Sequence, residues 1–190
     1  MTLFHRLASR ASDQHGYVTV DDAREVGGTP MALLMLAKRG ALEHVDHGLY
    51  RIPDLAVGPL AQFQEAVLRI PGAVLSHDTA LELLDLADVN PRQVHVTAPR
   101  AYRVRKRLPD WMVVHRDRLD DDDIDGHEGL PVVTPARAII DAIEDGVGAR
   151  FVTQAIDTAR RRNLLTTPEE TRVLGVAADH AIVVRGGPTQ

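Results

Sequence analysis

The stretch from Tyr17 to Pro53, YVTVDDAREVGGTPMALLMLAKRGALEHVDHGLYRIP, constrains this chain more than any other. Thr19 stands where its hydroxyl can accept from the first turn of a short helix, and Asp21 and Asp22 put negative charge where a helix N-terminus favours it. Gly27-Gly28 stops that helix and permits a tight turn. Thr29 then starts a second helix with Pro30 at its first position, where the missing N–H costs nothing. Leu33, Leu36 and Ala37 fall at helical spacing and form an inward stripe. Lys38 and Arg39 suit the C-terminus of that helix, and Gly40 ends it. Two apolar runs, Ala41–Val45 and Leu49–Ile52, flank the turn tripeptide Asp46-His47-Gly48 and predict a hairpin. Helix, tight turn, helix and hairpin within about forty residues predict a winged helix-turn-helix, the module that lays one helix in a DNA major groove.

The rest of the chain must be compatible with that module. Its 190 residues are enough for one large or two small domains, and 44% hydrophobic with 26% charged residues is an ordinary globular composition. Cysteine is absent, which excludes disulfides, cysteine nucleophiles and thiolate metal sites and suits a reducing cytoplasm. Met1 to Arg10 is too polar for a signal peptide, and no apolar run approaches membrane length, so a cytoplasmic location is expected. A net charge of −5 means that any DNA contact must use a local patch.

Before the motif, Leu3 to Gln14 predicts a helix that packs Phe4, Leu7, Ala8 and Ala11 behind the other two. After it, Pro53 to Pro59 reads as a linker, because two prolines and a glycine cannot continue regular structure. The expected division is therefore a winged helix-turn-helix over 1–58 and a mixed α/β domain over 59–190, an α+β chain overall. Leu60 to Ile70 is amphipathic and helical. Ala73 to Leu75 is a short apolar run, and Ser76 is the expected cap of a helix carrying Leu81, Leu83, Leu84 and Leu86. Gln93 to Ala98 alternates apolar and polar residues as a half-buried strand does, Trp111 to His115 predicts a second strand and Leu130 to Val133 a third. Thr134-Pro135 repeats the cap-plus-proline start of Thr29-Pro30 and opens a helix to Ile143. Helices follow over Ala149 to Arg162 and from Thr167, and Gly186 to Gln190 offers no core residue.

Several of these pieces resemble one family. The run from Leu33 to Leu42 (LLMLAKRGAL) and HGLYRIP from His47 to Pro53 are similar to the antitoxins of the AbiEi type. So are SHDTALELLDLAD (Ser76 to Asp88), QVHVTAPR (Gln93 to Arg100) and TPARAIIDAIED (Thr134 to Asp145), in the same order. The resemblance implies a winged N-terminal domain joined to a C-terminal one. It also implies a protein that represses its own operon and counteracts a partner toxin of the nucleotidyltransferase superfamily.

The residues left outward by the stripe of the second helix are Met31, Ala32, Met35, Lys38 and Arg39, with Leu34 at the edge. Together with Thr29, His47 and Arg51 they are the expected DNA-binding set, with a homodimer on promoter DNA as one arrangement. Base readout usually uses arginine, asparagine, glutamine, serine or threonine. Here either the reading is weak and apolar, through thymine methyls, or Leu34 and Met35 are buried against another surface; the alternative to both is a degenerate winged helix used only for protein contact. Arg100 to Arg107 carries five cations, Arg100, Arg103, Arg105, Lys106 and Arg107. They fit phosphate contact, an acidic toxin face, or an edge strand guarded by charge. Asp117 to Glu128 holds seven carboxylates, Asp120, Asp121, Asp122 and Asp123 among them. The readings are an exposed acidic loop, a DNA-mimicking or toxin-occluding surface, or a partner for the basic segment.

No chemistry beyond binding is expected. Nine histidines are present, but no pair has the H-E-x-x-H spacing, so no metal ligands and no cofactor are assigned. Ser76-His77-Asp78 looks like part of a catalytic triad, but adjacent residues do not converge as triad members do. His44, His47 and His115 read as surface or hydrogen-bonded structural residues. A restriction-type nuclease needs a carboxylate two residues before a lysine, and Leu36 and Val104 occupy those positions before Lys38 and Lys106. The expectation is an antitoxin and repressor without catalytic residues, the alternative a stand-alone regulator with a sensing C-terminal domain.

Overall fold

The computed structural model describes residues 1–53, 55, 58–103 and 107–184. The linker residues Asp54, Ala56 and Val57, the cations Arg105 and Lys106, and the tail from Arg185 lie outside them. The chain forms two compact units, Met1–Pro71 and Gly72–Gln190.

The first unit begins with helix α1 (Leu3–Ser12), capped by Thr2. Strand β1 (Tyr17–Thr19) leads directly into helix α2 (Val20–Glu25), and helix α3 (Pro30–Lys38) follows. Strands β2 (Glu43–Asp46) and β3 (Leu49–Arg51) form an antiparallel hairpin with a bulge between His44 and Asp46. The sheet order is β1-β3-β2, so a strand not expected from sequence, β1, pairs with the hairpin through Val18 and Tyr50. Leu7, Ala11, Val18, Ala23, Leu33 and Tyr50 make the core, with Leu36 and Ala37 packed against it as the stripe predicts. Gly28 is where the turn is tightest: a Cβ there would lie 2.9 Å from Leu3 Cδ1 and 3.0 Å from the Ala23 carbonyl oxygen. Glycine lets the turn before α3 lie this close to α1 and α2.

Helix α4 (Ala61–Arg69) belongs to this unit, so the division falls after Pro71 and not at 58/59. Ala61 packs with Tyr17 and Leu49. The Tyr17 hydroxyl donates to Glu65 at 2.7 Å, and Arg69 lies 2.5 Å from Asp46 on the hairpin and 2.6 Å from Glu65. A proline- and glycine-rich stretch marks a loop, but side-chain contacts decide which side of it a helix joins.

The second unit is built on a five-stranded sheet in the order β6-β5-β4-β8-β7. Its centre is the shortest strand, β4 (Val74–Leu75), antiparallel to β5 (Val94–Pro99) and parallel to β8 (Leu130–Val133). Strand β6 (Met112–Asp117) runs parallel to β5, and β7 (Ile124–His127) pairs antiparallel with β8. Helix α5 (His77–Leu83) follows β4; α6 (Pro135–Glu144), α7 (Ala149–Arg161) and α8 (Thr167–Asp179) complete the unit. The acidic segment is not simply a loop. Asp121–Asp123 form a 3-10 turn, and the chain then enters β7, because Ile124 to His127 can pair with the apolar strand β8.

Two expected caps are not made. Ser76 holds the N-cap position of α5 and Thr134 that of α6, yet neither side chain bonds its helix. The Ser76 hydroxyl is instead within 2.9 Å of His77 Nδ1 and accepts from the Thr97 hydroxyl at 2.8 Å.

Candidate functional site

In the first unit the outward face of α3 is uncovered. Thr29 caps the helix, accepting from the Ala32 amide at 3.2 Å. Met31 is 63% exposed, Leu34 38% and Met35 41%, so these apolar side chains are not buried within the chain. Ala32 is half-buried, and Lys38 and Arg39 are exposed with no ion pair among the described residues. His47 is exposed at the hairpin turn. Arg51 is not a free cation: its guanidinium binds Glu43 across the hairpin at 2.5 and 3.0 Å. The cross-strand pairing of β2 and β3 places Glu43 opposite Arg51 and accounts for this ion pair.

The helix pair is pinned by Asp22. Burial alone would raise its carboxyl, but hydrogen bonds from Thr19, Arg10 and Gln14 outweigh burial and hold it below the usual carboxylate range. Thr19 and Asp22 form a reciprocal capping box, with the Thr19 amide 2.7 Å from Asp22 Oδ2.

In the second unit polar groups are gathered inside. Arg137, one turn into α6, donates to Asp141 Oδ1 at 2.6 Å, to Asp117 Oδ2 at 2.6 Å and to Asp123 Oδ2 at 3.4 Å. Burial works against its charge, but Asp141, Asp117 and Asp123 together raise its affinity for the proton. Burial also pushes Asp141 up to about 6, even beside this guanidinium. Asp123 thus belongs to an internal network, and also lies 3.8 Å from Arg172. Asp120 pairs with Arg118 at the surface, while Asp121 and Asp122 are exposed. Of the basic segment, Arg100 and Arg103 are exposed and Arg107 pairs with Asp110 at 3.3 Å. Basic and acidic segments also meet in a cleft of about 390 Å³, lined by Arg100, Asp117 and Arg118 together with Val74, Leu119 and Ile124.

Beside Arg137 lies a constellation that spacing in the sequence did not reveal. The His77 ring stacks on His115 with centroids 3.5 Å apart and planes 15° from parallel. His95 Nδ1 stands 3.1 Å from His115 Nε2 and 3.8 Å from Asp78 Oδ1. Asp78, His95 and Asp145 bring potential ligand atoms within 4.8 Å of one another, and so do His77, His115 and Asp145. Burial lowers the pKa of His115 and takes His77 down to about 3, so both rings are neutral at physiological pH. His77 also has φ of 56°, a left-handed conformation that a non-glycine residue adopts at a cost of about 1–3 kcal/mol.

The sheet register assembles this group. Thr97 on β5 is paired with His115 on β6, so His115 shares a face with Thr97 and with His95 two residues before it. Histidine at the polar phase of β5 was visible in the alternation of Gln93, His95 and Thr97. The register that brings His115 beside it was not.

Comparison with known proteins places these two units unequally. No curated protein matches the chain. Among solved structures, the RV2827C protein from Mycobacterium tuberculosis superposes with a TM-score of 0.54 at 21% identity, over 95% of this chain and 75% of that one. At that identity the likeness is one of fold. Residues 5–53, from α1 to just past β3, match the family described as transcriptional regulator, AbiEi antitoxin.

Proposed function

We propose that this chain is an antitoxin of the AbiEi type that binds the promoter of its own operon through its first unit and counteracts a nucleotidyltransferase-like toxin through its second. The observation that carries the reading is that the family match spans the helix pair and hairpin whose α3 leaves an outward face exposed. In this reading α3 enters the major groove and the hairpin Glu43–Arg51 is the wing. Met31, Leu34 and Met35 meet thymine methyls, while Thr29, Ala32 and His47 line the approach. Lys38 and Arg39 contact phosphates, and Arg51 braces the hairpin. Two copies on DNA would use half-sites one helical turn apart, about 34 Å.

Binding of the full chain to a labelled fragment from upstream of its own gene tests this. Lys38→Glu and Arg39→Glu should each weaken binding to all sequences and lower the salt slope by about one. Absence of protection on that fragment at low salt removes the repressor role.

Toxin contact falls to the exposed charges of the second unit, Arg100, Arg103 and Arg107 and the carboxylates Asp120, Asp121 and Asp122. Charges at a rim act chiefly on association and its salt dependence. Co-expression with the toxin should lose rescue when both sets are reversed, and unchanged rescue would assign the wrong surface. Neither unit catalyses a reaction in this reading, and the protein acts in the cytoplasm.

A stand-alone regulator is the second reading. It is favoured by the family match ending at Pro53, which leaves the second unit without one. An adjacent gene for a nucleotidyltransferase-like protein decides for the antitoxin, an isolated gene for the regulator.

A further inference from the structure

We propose that the second unit binds a small amphipathic monocarboxylate, an aliphatic or aryl acid, in the cleft that Val74 and Ala98 share with the segment Asp117–Ile124, its carboxylate held by Arg100. The cleft follows from the strand order. Strands β6 and β7 lie at opposite edges of the sheet, so the segment that joins them must traverse its width. Leu119 and Ile124 from that segment line the cleft together with Val74 of β4 and Ala98 of β5. Val74 and Ala98 are buried whereas Ile124 is 37% exposed, so the apolar lining runs from the sheet interior to the surface. The volume of about 390 Å³ is at the small end of the range of about 300–1,000 Å³ that small-molecule sites occupy. Such sites combine an apolar lining with a few placed polar groups.

The charge of the occupant is set by what the lining residues have left to offer. Arg100, Asp117 and Arg118 carry the charges there, and two of the three are already engaged. Asp117 Oδ2 accepts from Arg137 at 2.6 Å, and its Oδ1 accepts from the Arg118 amide at 2.8 Å. The Arg118 guanidinium lies 3.0 Å from Asp120. Arg100 is exposed and makes no ion pair among the described residues. It is near enough to help hold Asp117 ionised, yet both oxygens of that carboxylate are taken. An unmatched guanidinium beside an apolar cleft selects an anionic head on an apolar body. Its planar fork bonds both oxygens of a carboxylate, and the body gains by leaving water. A dianion such as a phosphate ester would meet the charge of Asp117 with only this one cation to offset it, so a single negative charge fits best.

The test needs neither toxin nor DNA, so its outcome is separate from those of the promoter and rescue experiments. Octanoate is titrated into the full chain by calorimetry, with octylammonium and octan-1-ol as its cationic and neutral counterparts. One equivalent of octanoate should bind with a dissociation constant of about 0.1 mM or below, within reach of a ligand of about ten non-hydrogen atoms. Octylammonium should bind at least about tenfold more weakly, because it loses the charge-assisted hydrogen bonds to Arg100. Arg100→Gln should weaken octanoate by about tenfold and leave octan-1-ol unchanged, erasing the preference between them. Ala101 also lines the cleft and is exposed, so Ala101→Trp keeps the fold, fills the space and should abolish binding of all three probes. Arg92→Gln, at an exposed cation outside the cleft, should change nothing. Melting temperatures equal to that of the parent protein should show that the variants are folded. The proposal is overturned if octanoate shows no saturable binding at millimolar concentration, if octylammonium binds as tightly, or if octanoate binding survives Ala101→Trp.

Discussion

The dipeptide Thr-Pro opens both α3 and α6, and the two starts behave differently. At Thr29-Pro30 the hydroxyl accepts from the Ala32 amide, and the outward side of the helix beyond it is uncovered. At Thr134-Pro135 the hydroxyl is buried with no hydrogen-bond partner among the described residues, and the first turn is held instead by Arg137 reaching Asp117, Asp123 and Asp141. A cation near a helix N-terminus is opposed by the helix dipole, so those carboxylates must hold it. The same local signal therefore gives a helix stabilised by its own cap in one unit and by distant partners in the other.

The sharpest way to break this contrast is Arg137→Ala. It leaves Asp141 buried without its countercharge, and losing one partner of a buried pair costs about 3–5 kcal/mol. Chemical denaturation should show a loss of that order, and amide exchange should locate it in α6. A loss below about 1 kcal/mol would mean that the network is not what holds α6. Gly28→Ala attacks the first unit at the turn before Thr29. The new Cβ would press on Leu3 and the Ala23 carbonyl, an overpacking worth about 1–3 kcal/mol. An unchanged midpoint would show that the turn can relax.

Thr29→Ala should cost about 1 kcal/mol, the usual worth of an N-cap. Thr134→Val should be within about 0.5 kcal/mol of neutral or slightly stabilising, because it deletes a buried hydroxyl that has no partner among the described residues. Equal losses at the two threonines would erase the distinction between them.

The smallest effect is one of pH. Asp22 has a folded pKa below its unfolded value, so its stabilisation is present above about pH 3.9 and is lost as pH falls through the folded value. Asp22→Asn should flatten the acid limb of the first unit's melting curve. A limb identical to that of the parent protein would show that the capping box carries no linkage.

Much of the first unit was legible because its signals are short-ranged. The Thr19–Asp22 box, the Thr29 cap and the stripe of Leu33, Leu36 and Ala37 each operate within a turn or two of helix. Strand β1 was missed because three residues carry no readable period, and its pairing with β3 is made over a long separation. Strand β4 escaped for the same reason, although two residues at the centre of the sheet order the whole second unit. The sequence by itself determined the helices, the hairpin, the charge of the two segments and the outward residues of α3. Tertiary structure alone decided that Arg51 is spent on Glu43, that Asp123 turns inward to Arg137, and that α4 joins the first unit. It also decided that His95 meets His115 across 20 residues. Caps and periodicity are set by neighbours along the chain, whereas these pairings depend on strand register and helix docking.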